Sequence, residues 1–156
     1  MTKVNRGKDF EAQIKKAFLQ IEEVSLDRLY DPTAGYSGIK NICDFIVYKY
    51  PYEYYIECKT HYGNTLPFSC ITDNQWYGML AKTSIKGVIA GVMVWFIDHD
   101  KTFFVPIEIL HILKSEGKKS LNIKDIPETM GIKEIPGTRK RILFEYNMEN
   151  FFNHEL

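Results

Sequence analysis

Two carboxylates and an amine stand close together in the stretch 43–60, CDFIVYKYPYEYYIECKT. Asp44 lies at its start, and Glu57 and Lys59 lie near its end. Hydrolysis of a phosphodiester needs a positioned water, a stabilised pentacoordinate phosphate and a neutralised leaving alkoxide. Hard divalent cations held by carboxylates supply this, and Mg²⁺ takes one or two carboxylates together with waters and substrate oxygens. Asp44 and Glu57 can provide such oxygens, and the backbone carbonyl of Cys58 could complete the shell. Lys59 can orient the attacking water and stabilise charge developing on the phosphate. Glu11, further upstream, could hold a water of the same shell.

These residues need elements to place them. Strand side chains two apart share a face. Asp44, Ile46 and Tyr48 therefore share one face of a strand over 42–50, and Tyr55, Glu57 and Lys59 one face of a second over 54–60. The bend at Pro51-Tyr52-Glu53 is short, so an antiparallel hairpin is the simplest pairing. The bland alternative makes Glu57 and Lys59 the solvent face of an ordinary hairpin. A helix is predicted over 6–23, with Phe10, Ile14, Ala17 and Ile21 along its apolar stripe. Glu11 borders that stripe and needs a partner if it faces inward. Otherwise it is a first-turn acid complementing the helix dipole.

A short strand is predicted over 25–30, followed by a turn-rich loop, 31–41. Residues 61–69 read as another loop. A second helix runs to Lys86, with Thr72 or Asp73 as its N-cap and Trp76, Met79 and Leu80 on its apolar side. Gln75, near its start, either points back at the loop end of the sheet or is a plain surface glutamine. The apolar run 87–97 reads as a strand buried on both faces. Asp98-His99-Asp100 has the residue types of a metal site, but a polar hairpin tip accounts for it better. A strand over 102–105 and a helix over 107–114 follow. Beyond lie a basic loop at 117–120, strand candidates at 132–135 and 139–146, and a short helix or tail at 150–154.

At 156 residues the chain reads as one domain, 1–156, with 45% hydrophobic and 26% charged residues. No apolar run is long enough to span a bilayer, and the first residues lack an apolar signal region, so a cytoplasmic protein is expected. Three widely spaced cysteines form neither a zinc pattern nor a disulfide framework. The formal net charge is zero, so any contact with a phosphate backbone rests on local clusters such as Lys15-Lys16, Lys114-Lys118-Lys119 and Arg139-Lys140-Arg141.

Asp44, then Glu57-Cys58-Lys59 after a β-turn, with Glu11 in a preceding helix, resembles the PD-(D/E)xK nuclease core. Cys43 stands where that pattern has Pro. The wider chain is similar to the RecU-type Holliday junction resolvases. Residues 5–11, NRGKDFE, resemble the opening N-R-G-x-x-x-E of that family, and Cys43-Asp44-Phe45 falls at its T-D-Y. Residues 55–60 resemble its D-F-E-A-K-E-T. Leu66-Pro67-Phe68 followed by Gln75 matches its F-P-L and the Gln of the next helix. Gly117-Lys118-Lys119-Ser120-Leu121 resembles its G-R-K-S-I, and residues 141–146 its R-x-D-Y ending. The segment that forms a basic stalk in the family is much shorter here, with only 25–42 available, as in a stalk-less or phage-like form.

The resemblance implies an α/β, restriction endonuclease-like core with a central mixed β-sheet flanked by helices. It implies a Mg²⁺- (or Mn²⁺-) dependent endonuclease with no small-molecule cofactor. It would act as a homodimer on four-way DNA junctions by paired symmetric nicks, in a bacterial or phage-infected cell. Asp44, Glu57, Lys59, Glu11 and Gln75 would be catalytic, with the metal on Asp44, Glu57 and the Cys58 carbonyl. DNA contacts would come from Arg6, Lys8, Tyr36, Ser37, Lys40 and Thr60. The alternatives are a restriction- or repair-type endonuclease of the same fold acting on duplex DNA, and a non-catalytic α/β binding module.

Overall fold

The computed structural model describes residues 5–30, 40–129, 131–140 and 144–154. Tyr36, Ser37 and Arg141 therefore lie outside the described residues. The architecture is a six-stranded mixed sheet with helices on both faces, as the resemblance implied.

The chain enters through α1, Arg6–Leu19, where the Asn5 side chain accepts the Lys8 N–H at 3.1 Å and caps the first turn. Phe10, Ile14, Ala17 and Phe18 form its buried stripe. The helix ends short of the predicted Glu23, because the chain turns at Gln20 and Glu23 itself takes a left-handed conformation (φ 56°). Strand β1, Ser25–Arg28, then pairs antiparallel with β2, Phe45–Lys49, which pairs antiparallel with β3, Tyr52–His61. The hairpin turn is tighter than predicted, since Tyr52 and Glu53 already belong to the ladder.

Residues 61–69, expected as a loop, contain a strand, β4, Thr65–Pro67. The helix α2, Asp73–Lys82, stops before the predicted Lys86. It carries the chain across to β5, Val88–Phe96, which runs parallel to β3 over its full length. A parallel pair requires such a crossover. Strand β6, Lys101–Pro106, returns antiparallel after a turn at Ile97–Asp100, and α3, Ile107–Ser115, follows directly. Strand β7, Ser120–Asn122, pairs with β4, and β8, Lys133–Glu134, closes the sheet beside β6. The region predicted as one strand, 139–146, divides between β9, Gly137–Arg139, and β10, Phe144–Tyr146, which pair with each other.

Alternation along β3 and β5 divides the core in two. Tyr54, Ile56, Cys58, Met93 and Trp95 face α1 and the C-terminal Tyr146, Met148 and Phe151. Ala90, Val92, Val94 and Phe96 face α2, α3 and the β4–β7 ribbon, where Leu66, Phe68, Trp76, Leu110 and Leu121 pack. The expectation that this run is buried on both faces holds from Ala90 onward. Among the described residues, no helix is long and apolar enough to cross a membrane.

Candidate active site

At one end of the sheet β2 has not yet begun while β3 continues, and the gap is where the polar residues meet. Asp44 lies one residue before β2. Its N–H donates to the Ile56 carbonyl at 3.1 Å, and its Oδ2 accepts the Cys58 N–H at 2.8 Å. Asp44 thus takes up the edge of β3 beyond the last β2–β3 pair. The Cys58 thiol points the other way, into the α1 core.

Glu57 projects on the α2 face and is 4% exposed, one of two buried polar residues among those described. Its Oε2 accepts from Gln75 Nε2 at 2.9 Å and pairs with Lys59 Nζ at 3.0 Å. Its Oε1 is buried and has no hydrogen-bond partner. Burial, and then the charge of Asp44, push the Glu57 carboxyl up to about 8, against the pull of Lys59.

Gln75 is fixed by its own helix. Thr72 and Gln75 form a reciprocal capping box, in which Gln75 Oε1 accepts the Thr72 N–H and Thr72 Oγ1 accepts the Gln75 N–H. The side-chain amide is left with its donor aimed at Glu57. Helix α2 also lies against the segment leading to Asp44. Asn74 Nδ2 bonds the carbonyls of Lys40 and Asn41, and a Cβ on Gly78 would come within 2.3 Å of Ile42. Glycine at 78 is what permits that approach.

From the other face, α1 brings Glu11. Arg28, at the end of β1, links it to Asp44: Nη2 bonds Glu11 Oε2 at 2.8 Å, and Nη1 lies 3.4 Å from Asp44 Oδ1. Nη1 also bonds the Asp44 carbonyl at 3.2 Å and the Leu29 carbonyl. The guanidinium rests over the rings of Tyr30 and Phe45. Burial and the Asp44 charge raise the Glu11 carboxyl above its usual range, while Arg28 opposes them. Arg28 was not singled out from the sequence. The signal was present: in β1, Ser25 and Asp27 face out while Leu26 and Arg28 turn inward.

The structure thus brings Glu11, Asp44, Glu57, Lys59 and Gln75 to one edge, with Arg28 added. The expected DNA contacts are more scattered. Lys8 is exposed one turn before Glu11 on α1, and Lys40 is exposed beside Asn74. Thr60 follows Lys59 and pairs with Trp95. Arg6 lies over the Trp95 ring. Asp98, His99 and Asp100 bond Gly63, Asn64 and Arg139 respectively, which suits a hairpin tip.

No group of three His, Cys, Asp or Glu side chains among the described residues is arranged to hold a metal ion. Mg²⁺ does not require one, since it commonly takes one or two carboxylates and keeps several waters. The orphaned Glu57 Oε1, together with the Asp44 carboxylate that raises its proton affinity, would suit such an ion.

A solved structure with a similar fold is Hjc, a Holliday junction resolvase from Archaeoglobus fulgidus. The TM-score is 0.52 at 15% identity, and the match covers 78% of this chain and 88% of that one. The likeness is one of fold, a central mixed sheet flanked by helices. No curated protein sequence matches the chain. Residues 5–145, which run from the α1 cap into β10 and include every residue of the edge cluster, match the family of recombination protein U, and the chain belongs to the RecU family.

Proposed function

We propose that this protein is a divalent-metal-dependent DNA endonuclease that resolves four-way junctions. The observation that carries the reading is Glu57: a buried carboxylate with one oxygen unpartnered, raised to about 8 beside Asp44 and in contact with Lys59. A fold spends a buried, half-satisfied carboxylate pair where a cation completes it.

Asp44 and Glu57 would hold the ion. Strand geometry turns the Cys58 carbonyl to the same edge as its N–H, so it would be the third protein oxygen. When bound, Mg²⁺ supplies charge neutralisation and polarisation of the scissile phosphate. The rest belongs to the chain. Lys59 has three donors and gives one to Glu57, leaving others for a phosphate oxygen or the attacking water. Gln75 fixes the rotamer of Glu57, and Arg28 holds Asp44 and Glu11 together without proton exchange.

Family membership and the likeness to a junction resolvase fold support four-way DNA as the substrate. Cutting both strands symmetrically calls for two sites related by a two-fold axis, so the working form is a homodimer, in the cytoplasm of its host. The test is purified protein with Mg²⁺ on synthetic four-way junctions and linear duplex, beside Asp44→Asn. Paired symmetric nicks on junctions, lost in Asp44→Asn, are expected. Cutting of linear duplex with junctions untouched would move the assignment to a duplex endonuclease. No cleavage with any divalent ion would overturn the nuclease reading.

A further inference from the structure

An open groove of about 910 Å³ begins beside the active centre and runs along the α2 face. Thr72 and Asp73, in the first turn of α2, form its near end, and the same turn carries Gln75 to Glu57. The far wall is the α3–β7 connection with Lys114, Lys118 and Lys119.

That wall is rigidly placed. Gly117 and Lys118 N–H groups close the end of α3 on the Lys114 and Leu113 carbonyls, and Phe68 N–H bonds the Lys119 carbonyl at 2.9 Å. Lys118 and Lys119 are exposed and have no carboxylate partner among the described residues. Lys114 stays over the Trp76 and Tyr77 rings. In a chain of zero formal net charge, a fixed wall of three lysines beside the active centre is a local positive feature.

The floor decides which part of a nucleic acid fits. Phe68 and Trp76 are buried, and Trp76 Nε1 is bonded to His111. Neither ring is available for stacking a base. The α2 N-terminus carries Asp73, and the capping box occupies the Thr72 and Gln75 N–H groups, so the acid opposes an anion there. A phosphate chain would lie against the lysine wall.

We infer that this groove seats the sugar–phosphate backbone of a DNA arm leaving the active centre, with Lys118 and Lys119 as sequence-independent phosphate contacts. The inference rests on the nuclease reading. The pair occurs on both protomers of the dimer, so four phosphate contacts release about four counterions, and their removal lowers the slope of log affinity against log salt by roughly 3.6.

The experiment measures junction binding from low to moderate salt in EDTA, where no cutting occurs. It compares wild type, Lys118→Ala/Lys119→Ala, Lys15→Ala/Lys16→Ala and Asp73→Asn, with melting curves to confirm folding. The groove pair should lower the salt slope by roughly 3.6 units and weaken binding equally on junctions of scrambled arm sequence. Lys15→Ala/Lys16→Ala should keep the slope, and Asp73→Asn should tighten binding about two-fold. With Mg²⁺ and saturating DNA, the groove pair should keep kcat and raise KM. Wild-type binding and cleavage with an unchanged slope in the groove pair would overturn the groove assignment alone. An equal slope change in Lys15→Ala/Lys16→Ala would overturn it as well, by showing a diffuse charge effect. Wild type that neither binds nor cuts junctions would remove both readings.

Discussion

The two sides of the candidate site treat their carboxylates differently. On the α1 side, Glu11 and Asp44 share Arg28, which also bonds two backbone carbonyls. On the α2 side, Glu57 receives Gln75 and Lys59 on one oxygen and nothing on the other. Arg28 and Glu11 are 21% and 24% exposed, so solvent screens their pair to at most about 1 kcal/mol. Its value is placement. Glu57 is nearly dry, and a proton or an added cation would satisfy its unpartnered oxygen. The fold thus builds a cation, Arg28, into the α1 side, while on the α2 side the proposed Mg²⁺ would take the corresponding place.

The largest effect should follow from removing the deficit. Glu57→Gln is expected to lower cleavage by roughly 10³-fold or more. It should also flatten the pH dependence of metal-free stability. The Glu57 carboxyl rises from 4.5 to about 8 on folding. The folded state therefore holds the proton more tightly, and stability that is complete below 4.5 is lost as pH climbs through 8. In EDTA, the wild-type Tm should fall between pH 5 and 8 more than that of Glu57→Gln. Parallel curves would show that Glu57 is not the strained group. The same proton competes with the ion, so Mg²⁺ affinity should rise up to tenfold per pH unit below about 8 and level off above it. Calorimetric titration in buffers of different ionisation enthalpy would detect the released proton.

Lys59→Met tests the cation already present on the deficient side. Cleavage should drop by roughly 10²-fold through loss of a charge-assisted donor to the phosphate. Without Lys59 the Glu57 carboxyl should climb further, shifting the alkaline onset of metal binding upward. A pH profile that keeps its midpoint would separate Lys59 from Glu57.

Arg28→Gln probes the satisfied side and should cost less. The guanidinium neither reaches Glu57 nor adds much stability, so about a tenfold loss of cleavage and a small change in Tm are expected. A double-mutant cycle with Glu11→Gln should show strong coupling, with Glu11→Gln costing little once Arg28 is gone. Additive losses would mean that the two act separately.

How much of this was legible follows the range of the interactions. Asp44, Glu57 and Lys59 could be placed because strand period and a short hairpin fix their facing locally. Glu11 was flagged by helix period as a carboxylate needing a partner. Arg28 was missed because its role appears only when β1 is laid beside β2, although the inward turn of Leu26 and Arg28 gave a hint. The β4–β7 ribbon escaped for the same reason: Leu66 meets Leu121 through a long-range pairing of three-residue strands, with no local register to read. The ends of α1 and α2 were overrun because helical periodicity continues past the point where Gln20 and Thr83 close the last turns. Gln75 stood between two readings, and its helix lies close against Ile42 at Gly78, an approach that no periodicity encodes.

Gln75 allows the finest separation of the two sides, because it has two jobs on two different atoms. Its Oε1 completes the capping box and its Nε2 serves Glu57. Gln75→Ala removes both and should cost about 1 kcal/mol in stability along with several-fold in cleavage. Gln75→Glu keeps an acceptor for the Thr72 N–H, since either residue completes a capping box. It removes the donor and sets a second carboxylate, beside Asp44, against Glu57. Metal-free Tm at pH 8 should then fall below that of Gln75→Ala, and Mg²⁺ should restore more of it, because the added charge deepens the deficit that the ion fills. If Gln75→Glu melts like wild type with and without Mg²⁺, the amide serves only its helix, and the contrast between the two sides loses its second donor.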